Sequence, residues 1–262
     1  MTLRILHVAE DALSAAVSRD LLDRVVAERG PDWLRELFAD PALRATQRRF
    51  EGLDGAEGWA SRGAVKAHAE ARGVRSLRRL SGNAALASKC LLLAAKVDPA
   101  CLVLLAFDRD RHPDDETLRH GVAATTTPAA PRCLVAEAVP EFDAWVLAGW
   151  RAESRAEEAA LRDAEARIEA QSGKLSPLDA LHRLTSNVAG DARDAKRLCA
   201  ALCGLGAADQ VGPEHDRARR CWAEPPLDEL EARGEHIGLR VYLHDVDREV
   251  VPLLGGAPAT RG

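Results

Sequence analysis

The stretch from Cys101 to Phe107 reads CLVLLAF and runs directly into Asp108-Arg109-Asp110. A continuous apolar run of this length is typical of a β-strand that is covered on both faces, as strands of parallel sheets are. The alternation of the two aspartates lets both carboxylates leave the strand end on the same side, since side-chain direction repeats every second residue. The stretch therefore predicts a buried strand with an acidic pair at its carboxyl end.

Further strands are predicted on either side of this one. Leu3 to Val8 (LRILHV) precedes it, and Cys133 to Ala138 (CLVAEA) follows it. Helical patterns separate them: one that ends near Gly30-Pro31, one over Asn83 to Lys96, one that opens on the acidic residues 113–116, and one after Pro140. Strands that alternate with helices predict an α/β fold with a mainly parallel sheet flanked by helices.

The character of the chain changes after residue 150. We expect residues 1–150 to form the α/β domain, with a helical and loop insertion at 31–80, and residues 151–262 to form a helical C-terminal appendage. The stretch Ala152 to Gln171 is charged and rich in alanine, which favours a solvent-exposed helix.

Composition excludes several classes of protein. The chain has 262 residues, of which 47% are hydrophobic, and a formal net charge of −5, so it does not attract nucleic acid as a whole. Its six cysteines contain no CxxC pair, which favours reduced, buried thiols. No signal peptide, membrane span or Gly-rich phosphate loop is visible, so we expect a cytoplasmic protein that has no membrane partner and does not hydrolyse nucleotides alone.

Acidic side chains follow three of the predicted strands, where the carboxyl ends of a parallel sheet share one edge. They are Glu10 after the first strand, Asp108 and Asp110 after the central one, and Glu137, Glu141 and Asp143 in and after the last. Clustered carboxylates repel one another unless a cation joins them, and Mg²⁺ prefers oxygen ligands. Each acid also has an ordinary structural interpretation as a turn residue, a helix cap or a solvated carboxylate.

Basic residues cluster locally in the second half of the chain. Arg183, Lys196 and Arg197 are candidates for contacts with a phosphate backbone. The alternative is a solvated helix face. His112 lies two residues after Asp110 and is a weaker candidate for contact with a substrate.

The arrangement resembles the Toprim fold, which has a glutamate after the first strand and a DxD pair after a later one. Here these are Glu10 in ILHVAED and Asp108 and Asp110 in LVLLAFDRD. More narrowly, the chain is similar to small Toprim-like proteins of bacterial defence loci, relatives of the OLD-type nucleases. The segment from Glu141 to Trp145 (EFDAW) is similar to a Glu-x-Glu-Ala-Trp-like segment found in many of them. The resemblance covers residues 1–150.

The resemblance implies a Mg²⁺-dependent, or Mn²⁺-dependent, phosphodiester-cleaving enzyme that acts on nucleic acid in bacterial defence or genome maintenance. By it, Glu10 transfers a proton, Asp108 and Asp110 hold the metal, and Glu141 and Asp143 support them as further ligands. The absence of an ATP site suggests that an ATPase or another protein acts as partner.

One departure from the family leaves other functions open. The family glutamate is commonly followed by glycine, whereas Asp11 stands there in this chain. A catalytically degenerate Toprim-like module that binds a partner is therefore the alternative. A phosphatase of the haloacid dehalogenase type ranks last, since that family places its DxD after the first strand. We expect Glu10, Asp108 and Asp110 to meet at one sheet edge, and Trp145 to pack against the sheet while Glu141 faces the acidic cleft.

Overall fold

The computed structural model describes residues 2–77, 79–97, 101–109, 117–127, 130–186, 188–204 and 216–255. Within these ranges the strands are β1 (Leu3–Ala9), β2 (Arg48–Glu51), β3 (Leu102–Asp108) and β4 (Arg132–Ala138). The helices of the first half are α1 (Ala12–Arg29), α2 (Asp32–Ala39), α3 (Pro41–Gln47), α4 (Arg62–Ala71), α5 (Gly82–Val97), α6 (Leu118–Thr125) and α7 (Phe142–Ala148). Those of the second half are α8 (Arg155–Ser172), α9 (Ala195–Cys203), α10 (Asp216–Ala223), α11 (Leu227–Arg233) and α12 (Leu239–Gly255), with a 3₁₀ turn at Leu181–Arg183.

The four strands form one sheet in the order β2-β1-β3-β4. β1 is parallel to both of its neighbours, pairing Leu3 with Arg48 on one side and Ile5 with Leu102 on the other. This confirms the α/β fold with a mainly parallel sheet and a helical C-terminal part. The residues of β3 are buried from Leu102 through Phe107, as expected for a strand with both faces covered.

The predicted insertion at 31–80 contains α2, α3 and α4, but it also contains the strand β2, which the sequence analysis missed. The sequence of β2, RRFE, has a single apolar residue and no alternation to reveal a strand. Pairing with β1 and two long-range ion pairs hold it instead. The Arg48 guanidinium contacts the buried Asp23 carboxylate, and Arg4 Nε donates to Glu51 Oε1 over 2.8 Å. An edge strand with charged side chains also resists pairing with other chains.

The chain divides into two compact units. The first comprises Met1–Phe107, His112–Glu137 and Tyr242–Gly262, and the second comprises Asp108–Arg111 and Ala138–Val241. The predicted boundary at residue 150 lies inside the second unit. The last helix returns to the first unit, where the Tyr242 hydroxyl donates to the Ser18 carbonyl over 2.6 Å.

The core of the first unit joins β1 and β3 to the helices α4, α5 and α6. Two of these helices approach very closely, because a Cβ added at Gly121 in α6 would lie 2.2 Å from the Ala84 carbonyl oxygen in α5. α6 begins at Leu118, after the cap Thr117, whose hydroxyl accepts the His120 amide. Residues 113–116, which the sequence predicts as the first turn of this helix, lie outside the described residues.

The second unit is built around buried tryptophans. Trp145 is fully buried and donates from Nε1 to the Ile237 carbonyl over 2.7 Å. Its ring lies tilted beside that of Phe142, with the centroids 4.6 Å apart. Trp150 donates similarly to the Leu202 carbonyl over 3.1 Å. The predicted burial of Trp145 is therefore correct, whereas its packing against the sheet stays a prediction.

Among the described helices, none has an apolar stretch of the length that a membrane crossing requires.

The close approach of α5 and α6 makes Gly121 a sensitive position. We expect Gly121→Ala to lower the free energy of unfolding by about 1 to 3 kcal/mol, because the new Cβ would meet backbone atoms that cannot move aside. Gly63→Ala in α4 is the matched control, since its Cβ would meet only the Ser61 hydroxyl at 3.7 Å. The control should be neutral or stabilising by up to about 1 kcal/mol. Urea unfolding of both variants measures the difference, and equal stabilities would contradict the observed packing.

Candidate functional site

Glu10 is the first residue after β1, at the edge where β1 and β3 both end. The strands pair up to Ala9 and Ala106, and the Glu10 amide donates to the Ala106 carbonyl over 2.9 Å. The Glu10 side chain is 37% exposed, and its carboxylate lies 4.0 Å from Nη2 of Arg62. Glu10 is therefore accessible at the carboxyl edge of the sheet, as the sequence predicts.

Asp11 has a structural role at this edge. Its carboxylate accepts the Ser14 amide over 2.8 Å, while the Ser14 hydroxyl accepts the Asp11 amide over 3.0 Å. The two residues form a reciprocal capping box at the start of α1. The residue that replaces the family glycine is thus used to begin a helix.

Asp108 is the last residue of β3 and is half-buried. Its Oδ1 accepts the amide of Phe142, the first residue of α7, over 2.8 Å. The neighbouring Arg109 amide donates to the Ala138 carbonyl over 2.7 Å, so the backbone is also held just beyond the strand. Asp110 and His112, the next candidates along the chain, lie outside the described residues.

Glu137 belongs to β4 and serves a different purpose from the other acids. It is buried, and its Oε1 accepts the amide of Leu118, the first residue of α6, over 2.8 Å. The carboxylate thus anchors the start of a helix. This is the structural role, in place of metal binding, that the sequence analysis left open for these acids.

Glu141 is buried within the second unit and is held by donors distant in sequence. Its Oε1 accepts the Lys196 amide over 3.0 Å, and its Oε2 accepts the Ser186 hydroxyl over 3.3 Å. Burial raises the pKa of Glu141 to about 7; the negative charges of Asp143 and Asp194 add to the rise, whereas Lys196 opposes it. The side chain is therefore a buried acid that changes charge near neutral pH.

Asp143 is also buried in the second unit, where its charge contributes to the raised pKa of the buried Cys199 thiol. Together with Asp194, the cap of α9, it forms the acidic surroundings of Glu141. Glu141 and Asp143 are two residues apart in the sequence. Nothing in the sequence indicates that they contact residues of α9.

The predicted nucleic-acid contacts are exposed residues of the second unit. Arg183 ends the 3₁₀ turn, and Lys196 and Arg197 lie in the first turn of α9. The backbone amide of Lys196 donates to the Glu141 carboxylate, and that of Arg197 donates to the Asp194 carboxylate. Their role in binding nucleic acid stays a prediction.

Sequence reasoning missed Arg62, which lies beside Glu10 in the first unit. Ala60 extends the sheet locally, since its amide donates to the His7 carbonyl and its carbonyl accepts the Ala9 amide. Ser61 then caps α4, whose first residue is Arg62. The serine cap is visible in the sequence, but the pairing that brings it to the edge of β1 is not.

Glu10 and Asp108 each carry a carboxylate, and Mg²⁺ takes carboxylate oxygens while keeping several waters. Among the residues that the structure describes, no group of three or more histidine, cysteine or acidic side chains is placed to hold a metal ion. Asp110 lies outside the residues that the structure describes, so this finding does not apply to it.

The raised pKa of Glu141 predicts how stability depends on pH. In the unfolded chain a glutamate has its usual pKa near 4.5, so the folded protein binds the extra proton between about pH 4.5 and 7 and loses stability as pH rises through that window. Glu141→Gln mimics the protonated acid and should be more stable than the wild type at pH 8 by about 1 to 3 kcal/mol, with little difference near pH 4.5.

Chemical unfolding at both pH values measures this effect. The exposed Glu169→Gln in α8 is the control and should show the same difference from wild type at each pH. A Glu141→Gln variant that is less stable than wild type at pH 8 would show that the buried site prefers the charged carboxylate.

Comparisons with protein-family models, with curated proteins and with solved structures find no match for this chain. Its function must therefore be inferred from its own residues and their geometry.

Proposed function

We propose that the chain is a Mg²⁺-dependent phosphodiester-cleaving protein of Toprim type that acts with a partner in bacterial defence or genome maintenance. One observation supports it above the others. β1 and β3 are parallel neighbours in the sheet, Glu10 is the first residue after β1, and Asp108 is the last residue of β3. This is the order in which the Toprim pattern places its glutamate and its DxD pair.

The proposal gives each acid a role that its surroundings permit. Glu10, which is accessible to solvent, transfers the proton, and Asp108 with Asp110 holds the metal. Bound Mg²⁺ would polarise the phosphodiester and activate a water molecule. Mn²⁺ would serve in the same way. Glu141 and Asp143 are supporting groups, because protein donors already occupy both oxygens of Glu141.

Cleavage assays with single-stranded, double-stranded and supercoiled substrates test the proposal. Wild type should cleave at least one of them only when Mg²⁺ or Mn²⁺ is present. Glu10→Gln removes the proton-transfer group and should reduce the rate by about 10²-fold or more. Asp108→Asn should abolish metal-dependent cleavage, while its amide oxygen can still accept the Phe142 amide and preserve the start of α7.

A matched control is available at Asp40, which caps α3 by accepting the Ala42 amide over 2.8 Å. Asp40→Asn also exchanges a capping carboxylate for an amide, but far along the chain from the acidic motif. It should cleave like wild type. Equal rates for wild type, Glu10→Gln and Asp108→Asn would refute the assignment of the acids.

The second candidate function is a degenerate module that binds a partner without cleaving. Two observations favour it: Asp11 is used as a helix cap where the family has glycine, and Arg62 gives Glu10 a countercharge within the protein. A working metal site should instead make Mg²⁺ raise the melting temperature of wild type, since a ligand of the native state stabilises it by mass action.

A thermal melt therefore separates the two candidates. With millimolar Mg²⁺, the melting temperature of wild type should rise, and Asp108→Asn should show a smaller rise because one charged ligand is lost. No shift in either protein, together with no cleavage, would favour the degenerate module.

A further inference from the structure

A basic pocket lies in the first unit between α4, α5 and the segment that joins them. Its volume is about 430 Å³, within the range of about 300 to 1,000 Å³ that is usual for ligand sites. Among the described residues that line it, four are cationic and one, Glu70, is acidic. The cations are Lys66, Arg75, Arg79 and Lys89.

Glu70 is the one negative charge set against these four cations among the described residues that line the pocket. Across the described part of the chain, no ion pair within 4.0 Å involves any of the four cations. Arginines elsewhere in this unit do have acidic partners: Arg48 pairs with Asp23, and Arg119 pairs with Asp245 at 2.9 Å. A concave surface that carries one sign of charge focuses the field and attracts anions.

Two further features of the pocket suit an extended ligand. Val74, Leu77 and Leu80 add apolar surface, and Leu77 is 40% exposed there. Arg79 has a φ of +82°, a left-handed conformation that non-glycine residues seldom adopt. Glycine adopts this conformation without the steric penalty of a Cβ atom, so the arginine here has a conformational cost that glycine would avoid.

The first turn of α4 connects the pocket to the edge where Glu10 lies. Lys66 follows Arg62 by four residues, so both side chains lie on one face of the helix, about 6 Å apart along its axis. Arg62 is fixed at the sheet edge, since its Nη2 donates to Asn83 Oδ1 over 2.9 Å and its guanidinium lies 5.3 Å above the Phe107 ring. The cations thus form a path from Glu10 to the pocket.

We propose that this pocket binds the phosphodiester backbone of a single-stranded nucleic acid and that α4 guides the strand to Arg62 beside Glu10. The proposal rests on the phosphodiester-cleaving function and names the substrate surface for it. Lysine binds a phosphate as a point charge, and arginine can donate two hydrogen bonds to it. The apolar residues would pack against sugars and bases. The pocket lies in a different unit from Arg183, Lys196 and Arg197.

Fluorescence anisotropy with a labelled single-stranded oligonucleotide, in EDTA so that no cleavage occurs, tests the proposal. The double variant Lys66→Gln/Arg75→Gln should bind about tenfold more weakly than wild type at low salt. Its plot of log affinity against log salt should be shallower by about 1.4, because two phosphate contacts are lost. Arg155→Gln/Lys174→Gln removes two exposed charges from the second unit and should bind like wild type.

A variant at Arg79 separates a binding role from a structural one. Arg79→Gly relieves the left-handed backbone, so its melting temperature should equal or exceed that of wild type. Its affinity for the oligonucleotide should nevertheless fall. An affinity equal to that of wild type would contradict the role of Arg79.

The remaining outcomes are decisive as well. Undiminished binding by the pocket variants, with loss of binding in Arg183→Gln/Arg197→Gln, would overturn the pocket and favour the other basic surface. If inorganic phosphate or a mononucleotide competed as well as the oligonucleotide at equal phosphate concentration, the pocket would not recognise an extended backbone. The absence of any oligonucleotide binding would also refute the proposal. Binding through the pocket without cleavage in Mg²⁺ would uphold the pocket and refute the proposed activity.

Discussion

The parallel pairing of β1 with β3 determines which residues follow the strands at the carboxyl edge of the sheet. Five residue pairs, from Ile5 with Leu102 to Ala9 with Ala106, align the two strands so that both end at the same edge. Because parallel strands need a crossover, the long segment between them must return across the sheet before β3 begins. That segment carries α4 and α5, so the same pairing that places Glu10 also determines which cations lie near it.

Carboxylates at the strand ends have a second use, which is to hold the first amides of helices. Asp108 on β3 accepts the first amide of α7, Glu137 on β4 accepts that of α6, and Asp11 caps α1. The first amides of a helix have no partner within the helix, and an acid on a rigid strand satisfies one of them. Acidic residues at a sheet edge therefore do not by themselves indicate a metal site.

This double use separates the acids by their surroundings. Glu137 and Glu141 are buried and accept hydrogen bonds from protein donors, whereas Glu10 remains accessible and lies near a cation. Asp108 is intermediate in exposure. Its Oδ1 accepts the Phe142 amide, and it is the last residue of a buried strand. An anchored ligand is favourable for a metal site, since a hydrogen bond that fixes the carboxylate reduces the cost of orienting it.

The sequence predicts those elements whose stabilising interactions join residues close together along the chain. β1, β3, β4, α1 and α5 were predictable because their apolar patterns are local and long. β2 was not, because it is held by pairing with β1 and by the ion pairs of Arg48 with Asp23 and of Glu51 with Arg4, which no local pattern reveals.

The same limit applied to the candidate site. The order of strands and acids placed Glu10 and Asp108 at the ends of their strands. The partners of Glu141 lie 45 and 55 residues away, and only folding brings them together. The basic pocket was hidden for the same reason, since its cations are scattered between positions 66 and 89 and become neighbours only when α4 packs on α5.

The net charge of −5 and a basic pocket are compatible because electrostatic interactions are short-ranged in salt solution. The Debye length is about 8 Å at physiological ionic strength, so acids on distant surfaces have little effect on a phosphate inside the pocket. The acidic surface still disfavours non-specific binding along duplex nucleic acid, which depends on the number of neutralised phosphates. A protein of this kind would bind a strand weakly and locally, and a partner that holds the same strand would raise its effective concentration at the pocket without any new contact in this chain.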